Sequence, residues 1–281
     1  MTVVNSVSPE GLHRVGARPK LVPYIRQAWG RRDFAYELAR SRIEASNGRN
    51  RLGMLWVVLK PTLNALMYGA IFGILQGASK PPGFPMYVVI GVFLFEFFSQ
   101  SMSQGAKSIT GNTALVQSLS FPRITLPLST VLQQLLTLVP MLGVMYIYCL
   151  ILGARPTWNW FLVLPLVAIF SLFNTGVALV CARLTVHVRD LTHLLPLLTR
   201  VLFYTSGVLF SVDRILKMFP VMVTLFDFHP IYQTLQIARG CIMGTEYPAE
   251  YWIYLSVWSI LMLAFGVIFF WKAEERYGRV D

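Results

Sequence analysis

Residues 158–182 read WNWFLVLPLVAIFSLFNTGVALVCA, a run without an acidic or basic side chain. A membrane core about 30 Å thick is crossed by roughly 20 residues of helix, because each residue rises about 1.5 Å. This run is therefore long and apolar enough to cross a membrane. Similar runs recur along the 281-residue chain, of which 55% is hydrophobic and 13% is charged. An ordinary soluble domain carries roughly 25% charged residues, so we predict an all-α integral membrane protein.

Six segments have the length and composition of a membrane span. They are residues 54–75, 86–104, 124–152, 158–182, 194–210 and 252–271. Apolar runs occupy nearly the whole chain, which leaves little room for a second, catalytic domain. The sequence therefore predicts a membrane domain of six transmembrane helices, residues 51–281, preceded by a cytoplasmic N-terminal segment, residues 1–50.

The distribution of basic residues predicts the side of the membrane on which each loop lies. With the N-terminus inside, eighteen lysines and arginines fall on the cytoplasmic side and five, including Arg239, fall outside. The positive-inside rule then predicts that both termini lie in the cytoplasm. We expect a multi-pass protein of the inner (plasma) membrane. The net charge of +11 follows this topology, so we expect membrane lipid as a partner and no nucleic acid.

The segment 211–250, between the last two predicted spans, is too apolar for an ordinary solvated loop. Its halves, 215–226 and 231–240, would be helices of about 15–18 Å, roughly half of a crossing. The tetrapeptide DFHP at 227–230 separates them. We predict a re-entrant helical hairpin that dips in from the outer face and acts as an outer gate. The alternative is an amphipathic hairpin that lies on the outer surface.

Residues 24–46 are predicted to form the helix of the N-terminal segment, with Gly30 as a break. At about 100° per residue, its apolar side chains fall on two faces, with Trp29 and Tyr36 on one and Phe34 roughly opposite. A helix that floats on lipid needs one apolar face. Two faces predict an amphipathic interface helix held between the membrane domain and a cytoplasmic partner. The alternative is an ordinary interfacial helix whose arginines contact anionic lipid.

Motifs for nucleotide or metal chemistry are missing from the sequence. No GxxxxGK[ST] phosphate loop occurs, so we expect this chain to bind no ATP in that way. There is no DxD, HExxH or paired-cysteine motif, and Cys149, Cys181 and Cys241 are far apart in apolar surroundings. We therefore expect no catalytic residue, no cofactor and no metal in this chain, which weakens the hypothesis of a membrane glycosyltransferase.

Two titratable residues, Lys60 and Glu96, lie inside the predicted spans. An unpaired charge at membrane depth costs at least about 2.5 kcal/mol, so an ion pair between them is predicted. Alternatively, Lys60 snorkels to the cytoplasmic surface and faces a lipid headgroup. Two such groups without an internal repeat give weak support for an ion-coupled secondary transporter.

Gly69, Gly73 and Gly77 form a GxxxGxxxG ladder that permits close approach of another helix.

Several short strings follow one another in a fixed order along the chain. They are RLGMLW at 51–56 before Pro61, FPR at 121–123 with LPLS at 126–129, VRD at 188–190, HP at 229–230 and RG at 239–240. Together they resemble the permease subunits of type-2 ABC exporters, in the branch that exports polysaccharides such as lipid-linked O-antigen or galactan. The resemblance extends over roughly residues 30–275 of this chain.

The resemblance implies a homodimer of this chain joined to two copies of a separate ABC ATPase, which binds ATP and Mg²⁺. It also implies outward movement of a lipid-linked polysaccharide through six spans, with an N-terminal interface helix and re-entrant gate helices. The arginine-rich N-terminal segment is similar to that of exporters of the lipid-linked galactan of mycobacterial-type cell walls. The alternative with the same architecture is a type-2 exporter of a drug or a simple lipid.

A substrate path is predicted to run from the cytoplasmic side to the outer hairpin. Cations at its entrance meet the phosphate of a lipid carrier, and aromatic rings further along support an uncharged sugar polymer that slides past them. The predicted members are Trp56, Lys60, Arg49, Arg51, Glu96, Phe219, Phe226 and Phe228. Aromatic residues in spans most often pack or anchor the helix, which is the alternative for each ring.

The loop at 182–195 is short, polar and cytoplasmic in the predicted topology. The family resemblance implies a coupling element here, so we predict that Arg189 and Asp190 dock into the partner ATPase. The alternative is a solvated loop without a partner.

Overall fold

The computed structural model describes residues 20–48, 53, 55–77, 80–118, 121–212 and 220–277, and these residues form helices joined by turns, without a strand. The α-helices in chain order are α1 (Leu21–Gly30), α2 (Arg32–Gly48), α3 (Leu55–Leu75), α4 (Phe84–Ala106), α5 (Thr113–Ser118), α6 (Thr125–Ile151), α7 (Val163–His187), α8 (Leu191–Thr205), α9 (Pro220–Asp227), α10 (Pro230–Met243), α11 (Tyr251–Trp271) and α12 (Glu274–Tyr277). Short 3-10 helices, Thr110–Asn112 and Trp158–Leu162, precede α5 and α7. The described chain is all-helical, as predicted.

Five helices are long and apolar enough to cross a membrane. They are α3, α4, α6, α11 and the continuous segment Trp158–His187 that ends with α7. Each coincides with a predicted span. The remaining predicted span, residues 194–210, contains α8, which has 15 residues. At 1.5 Å per residue, that length corresponds to about 22 Å, less than a membrane core. The sixth crossing therefore stays a prediction.

The helix α4 lies at the centre of the domain. It packs against α3, α6 and α7, and 72% of its most apolar 18-residue stretch is buried, against 17% for α3. The rings of Phe97 and Phe98 on α4 contact Phe170 on α7, with centroids 6.0 and 6.3 Å apart. Such ring pairs contribute about 0.5–1.5 kcal/mol each beyond the area that they bury. This aromatic contact helps to fix α4 against α7.

Two glycines let the backbones of α7 and α11 touch. A Cβ atom on Gly266 would lie 2.6 Å from the carbonyl oxygen of Gly176, and a Cβ atom on Gly176 would lie 2.4 Å from the carbonyl of Met262. A side chain fits at neither position. Small residues permit this kind of close contact between membrane helices.

The predicted glycine ladder on α3 has a different environment. A Cβ atom on Gly69 or Gly77 would meet no described atom within 4 Å, and one on Gly73 would meet only the ring of Phe84 at 3.6 Å. The ladder lines a groove of about 640 Å³. Within the described residues, the ladder therefore makes no close contact between helix backbones.

The N-terminal segment forms two helices, because the predicted break at Gly30 separates α1 from α2. α2 packs against α6. The Phe34 ring packs on that of Phe121 with centroids 5.4 Å apart, and Ala39 is buried, whereas Trp29 and Tyr36 are 71% and 45% exposed. One face therefore rests on the membrane domain, and a second apolar face is uncovered.

The segment before α11 contains the two short helices that the sequence predicts. α9 has 8 residues and α10 has 14, and the break between them lies at residues 228–229. The imidazole of His229 accepts a hydrogen bond from the backbone N–H of Tyr232 at 3.3 Å, and Pro230 opens α10. This N-cap and first-turn proline explain why a new helix starts there. Residues 213–219 of the predicted hairpin lie outside the described residues, and its re-entrant course stays a prediction.

Candidate functional site

A cavity of about 910 Å³ lies between α2, α3, α4 and α6. Its wall combines three charged side chains, Arg42, Lys60 and Glu96, with four glutamines. Three of the four helices around it have the length of a membrane span, in which such side chains are uncommon. Lys60 and Gln104 are exposed and the other three glutamines are half-buried, so water or a polar ligand reaches these groups. The cavity is therefore the best candidate for a binding site.

Polar stripes on two helices face this cavity. On α4, Glu96, Gln100 and Gln104 follow one another at intervals of four residues, which puts them on one helix face. The Nε2 of Gln100 donates a hydrogen bond to Oε1 of Glu96 at 2.8 Å. On α6, Gln133 and Thr137 have the same spacing and also line the cavity. The glutamines are not among the predicted path residues, although their four-residue spacing within apolar spans is a signal that could have revealed them.

Trp56, Lys60 and Glu96 line the cavity together, so three of the predicted path residues share one site. The predicted ion pair between Lys60 and Glu96 does not form, since the salt bridges of the described residues do not include it. Glu96 instead accepts the hydrogen bond from Gln100, one turn along the same helix. A local partner of this kind avoids the entropy cost of fixing a long lysine side chain against a distant carboxylate.

Arg42 on α2 belongs to this site, although the sequence analysis counted it only among the cations of the N-terminal segment. Its Nη1 donates hydrogen bonds to the hydroxyls of Ser129 at 3.2 Å and Thr130 at 2.9 Å, near the start of α6. Its Nη2 is buried and has no hydrogen-bond partner among the described residues. Burial lowers the pKa of the Arg42 guanidinium, but arginine stays charged in proteins. Arg42 reaches the cavity only because α2 packs on α6, a contact that the sequence does not show.

The outer part of the predicted path lies apart from the cavity. Phe226 packs edge-to-face on Tyr232 with ring centroids 5.6 Å apart, and Phe228 stacks on Tyr254 at 5.4 Å. Neither phenylalanine lines the cavity. The structure therefore brings together part of the predicted entrance and does not join it to these two rings.

The five remaining predicted residues fall into two groups. Arg49, Arg51 and Phe219 lie outside the described residues. Arg189 and Asp190 occupy the turn between α7 and α8, where both residues are exposed and neither lines the cavity. Exposure is compatible with a docking loop and with a solvated loop, so docking stays a prediction.

Arg239 is buried within α10, although the charge count treats it as a cation on the outer side. Only 1% of the residue is exposed. Its guanidinium donates hydrogen bonds to the carbonyl oxygens of Gly207 and Val208 at 3.1 Å and of Tyr87 at 3.4 Å. A Cβ atom on Gly91 would lie 2.8 Å from its Nη2, so this glycine leaves the space that the guanidinium fills. Counting charges in a sequence does not distinguish a buried guanidinium from a solvated one.

These hydrogen bonds satisfy carbonyl groups of the turn that follows α8. An unsatisfied carbonyl is costly at membrane depth. Arg239 provides N–H donors to the turn that follows α8, and the hydroxyl of Tyr87 donates to the carbonyl oxygens of Gly207 at 3.0 Å and Phe210 at 2.8 Å. The end of α8 is thereby held to α4 and α10.

A buried hydrogen-bond cluster joins α1 to α12. The Tyr24 hydroxyl donates to Oε2 of Glu274 at 2.6 Å and accepts a hydrogen bond from the backbone N–H of Ile124 at 3.1 Å. Oε1 of Glu274 accepts a hydrogen bond from the backbone N–H of Arg123 at 3.1 Å. Burial raises the pKa of Glu274, and the hydrogen bonds from Tyr24 and Arg123 oppose that rise. The cluster fixes the N-terminal segment and α12 to the loop before α6.

Five helices of membrane length, three of which border a polar cavity, define a polytopic membrane protein with the architecture of a transporter. The sequence profile of the family described as ABC-2 type transporter matches residues 37–243. Because this match covers more than half of the chain, the protein belongs to the ABC-2 type transporter family.

Similar proteins in bacteria are named as polysaccharide export permeases. The chain is 26% identical over 230 residues to the O-antigen export system permease protein RfbA of Klebsiella pneumoniae, which covers 82% of this chain and 87% of that protein. It is 28% identical over 195 residues to the protein of the same name from Myxococcus xanthus, covering 69% of this chain and 75% of that one. It is 23% identical over 235 residues to the polysialic acid transport protein KpsM of Escherichia coli, covering 81% and 88%.

Proposed function

We propose that this chain is the membrane-spanning permease subunit of an ATP-driven exporter that moves a lipid-linked polysaccharide from the cytoplasmic to the outer side of the inner membrane. The observation that carries the proposal is the polar cavity among helices of membrane length, in a member of the ABC-2 type transporter family. Relatives named for O-antigen export and polysialic acid transport support a polysaccharide as the cargo. For the polymer itself we propose cell-wall galactan, from the arginine-rich N-terminal segment.

The chemistry of the cavity wall suits such a cargo. A sugar polymer has flat C–H faces and hydroxyl edges, so the Trp56 ring would support a face while the glutamine amides bind hydroxyls. The phosphate of the lipid carrier would contact cations at the entrance, and the polymer would then pass along the rings of the outer hairpin. The proposed entrance comprises Trp56, Lys60, Glu96, Arg49 and Arg51, and the proposed outer rings are Phe219, Phe226 and Phe228.

Transport needs an energy source, which we propose to be a separate ABC ATPase. Two copies of it would bind ATP and Mg²⁺ and join a homodimer of this chain. The exposed turn with Arg189 and Asp190 and the uncovered face of the N-terminal segment, with Trp29 and Tyr36, are the proposed docking sites. All four of these residues are exposed.

One further crossing, beyond the five helices of membrane length, and the outer gate belong to the same proposal. α8 together with the turn that follows it would form this crossing, which is the fifth in chain order, and Arg239 would satisfy the carbonyl groups of the turn. α9 and α10 would dip in from the outer face as the gate. The nearly complete burial of α10 supports a sheltered position over a surface-lying hairpin.

The proposal is tested with cells in which the chromosomal copy of this gene is replaced by variants. The double variant Trp56→Ala with Lys60→Ala should stop export and leave lipid-linked glycan inside, while the chain still copurifies with the ATPase. The variant Trp158→Ala serves as the control, because that ring is 85% exposed and does not line the cavity. Normal surface glycan in the double variant would rule out this path, and failure to copurify any ATPase with the unchanged chain would rule out the exporter.

A further inference from the structure

The loop before α6 joins the N-terminal segment to the helix that follows α11. The Phe121 ring contacts that of Phe34 on α2, with centroids 5.4 Å apart. Arg123 contacts α12 instead. Its guanidinium forms a salt bridge with the carboxylate of Glu274 at 3.7 Å and donates a hydrogen bond from Nη1 to the Glu274 carbonyl oxygen at 2.9 Å. The FPR string at 121–123 is therefore a joint between α2 and α12.

Glu274 is the centre of this joint, and only 5% of the residue is exposed. Its Oε2 accepts a hydrogen bond from the Tyr24 hydroxyl on α1 at 2.6 Å, and its Oε1 accepts one from the backbone N–H of Arg123 at 3.1 Å. The Tyr277 hydroxyl donates to the Phe270 carbonyl oxygen at 3.0 Å, which fixes α12 to the end of α11. A buried carboxylate is costly to leave without donors, so separating α1 from α12 is unfavourable.

Both proposed docking sites rest on one apolar core, which is distinct from the core around α4. Tyr24 of α1, Ala182 of α7 and Phe270 of α11 are buried in it. Val186, which lies shortly before the exposed turn with Arg189, packs against the same core. Closely packed interiors have low compressibility and transmit strain. The N-terminal segment and the turn after α7 are therefore mechanically connected.

The N-terminal segment is attached to the membrane domain at two places. α2 packs on α6, and α1 is bonded through Glu274 to the helix that follows α11. α11 in turn touches the backbone of α7 through Gly176 and Gly266. A displacement of the segment therefore reaches α6 directly, and it reaches α11 and α7 as long as the contact between Tyr24 and Glu274 holds.

We propose that Glu274, held by Tyr24 and Arg123, is a positioning residue for transport that passes movement of the N-terminal segment to α11. This proposal rests on the proposed function, in which the ATPase docks on that segment. Without Glu274 the segment would move α6 through α2 and leave α11 behind. None of these three residues lines the polar cavity, so changing them should affect the coupling of ATP hydrolysis to export rather than the binding of cargo.

The first test measures the attachment itself, on the full-length chain in phosphatidylcholine nanodiscs without any ATPase. Spin labels are attached through p-acetylphenylalanine at two exposed positions, Arg26 on α1 and Lys272 after α11. The labelled chain is mixed with an excess of unlabelled chain, so that double electron–electron resonance reports the distance between labels within one chain.

Glu274→Ala should broaden the distribution of this distance, because loss of hydrogen bonds to a carboxylate favours the released state of α1 about tenfold or more. The matched control is Glu275→Ala, because Glu275 is the next residue and is exposed. Its distribution should be as narrow as that of the unchanged chain. An equally narrow distribution in Glu274→Ala would overturn the proposal.

The second test compares ATP hydrolysis with export, using the chain copurified with its ATPase and cells that carry the same variants. Glu274→Ala should retain the ATPase and its hydrolysis but lose glycan export, whereas Glu275→Ala should keep all three. Normal export in Glu274→Ala would overturn the proposal. Loss of the ATPase, or equal losses of hydrolysis and export, would also overturn it, because Glu274 would then only stabilise the assembly.

A conservative variant separates the contact from a folding defect. Glu274→Gln keeps the length of the side chain and a carbonyl oxygen for the backbone N–H of Arg123, but it loses the charge. Its distance distribution and its export should both lie between those of the unchanged chain and Glu274→Ala, and a different order in the two measurements would contradict the proposal. A failed first test leaves the exporter proposal standing. If the unchanged chain copurifies no ATPase, the exporter proposal fails, and the first test still decides whether Glu274 holds α1 to α12.

Discussion

Replacing Gly266 by alanine should destabilise the contact between α7 and α11. The added methyl group would lie 2.6 Å from the carbonyl oxygen of Gly176 and 3.0 Å from its Cα atom. Both are backbone atoms, so no side-chain rotation relieves the overlap, and the two helices have to separate. Overpacking typically costs about 1–3 kcal/mol, and contact with rigid backbone puts this variant near the upper end.

A matched control removes the effect of alanine on the helix itself. Alanine is about 1 kcal/mol more favourable than glycine in a helix interior, and this gain applies to Gly266→Ala and equally to Gly69→Ala on α3. At Gly69 the methyl group would meet no described atom within 4 Å. The difference between the two variants is therefore the steric effect alone, about 3 kcal/mol at the upper end.

The assay is equilibrium unfolding of the purified chain in mixed micelles with increasing SDS, followed by tryptophan fluorescence. Gly266→Ala should unfold at a clearly lower SDS fraction than Gly69→Ala. Gly176→Ala should behave as Gly266→Ala does, because its methyl group would lie 2.4 Å from the carbonyl of Met262. Equal midpoints for Gly266→Ala and Gly69→Ala would show that the helices separate at little cost, and the argument from backbone contact would fail.

Three further predictions follow from the other contacts. Arg239→Leu should destabilise the chain by about 3 kcal/mol or more, because it leaves buried carbonyl groups without donors; unchanged unfolding in mixed micelles would contradict this. Tyr24→Phe should lower the free energy of unfolding by about 1–3 kcal/mol at pH 8. The hydrogen bond from Tyr24 opposes the raised pKa of Glu274, so without it the folded variant protonates Glu274 more readily and the loss of stability should shrink on acidification. A loss that is independent of pH would exclude this role. Reversing the charges of Arg189 and Asp190 should abolish glycan export while the chain still inserts, and normal export would leave the turn as a solvated loop.

Features written in the local sequence were predicted correctly. The apolar runs correctly predict the five helices of membrane length. The DFHP tetrapeptide correctly predicts the break before α10, because its proline and its N-capping histidine act within a few residues. Gly30 likewise separates α1 from α2. These signals need no knowledge of which helices are neighbours.

Features that depend on neighbouring helices could not be read in this way. The close backbone contact occurs at Gly176 and Gly266, far apart in the chain and outside any GxxxG pattern. Arg42 enters the cavity because α2 packs on α6, and Glu96 pairs with Gln100 because that partner is one turn away. The prediction pairs Lys60 with Glu96 because an isolated charge is costly at membrane depth, and that argument does not extend to the uncharged glutamine amides.

The buried guanidinium of Arg239 restricts how the outer part of the protein can move. It bonds to the carbonyl oxygens of Gly207, Val208 and Tyr87 from a side chain carried by α10. Pulling α10 away from the turn after α8 would strand a cation and several carbonyl groups in an apolar setting, at a cost of several kcal/mol. α10, that turn and the start of α4, which carries Tyr87, should therefore move as one rigid body during transport. Any bend of the backbone then has to lie outside this unit. Gly244 follows α10 directly, has a φ of +72° and would have no described atom within 4 Å of an added Cβ, so the backbone can change direction there.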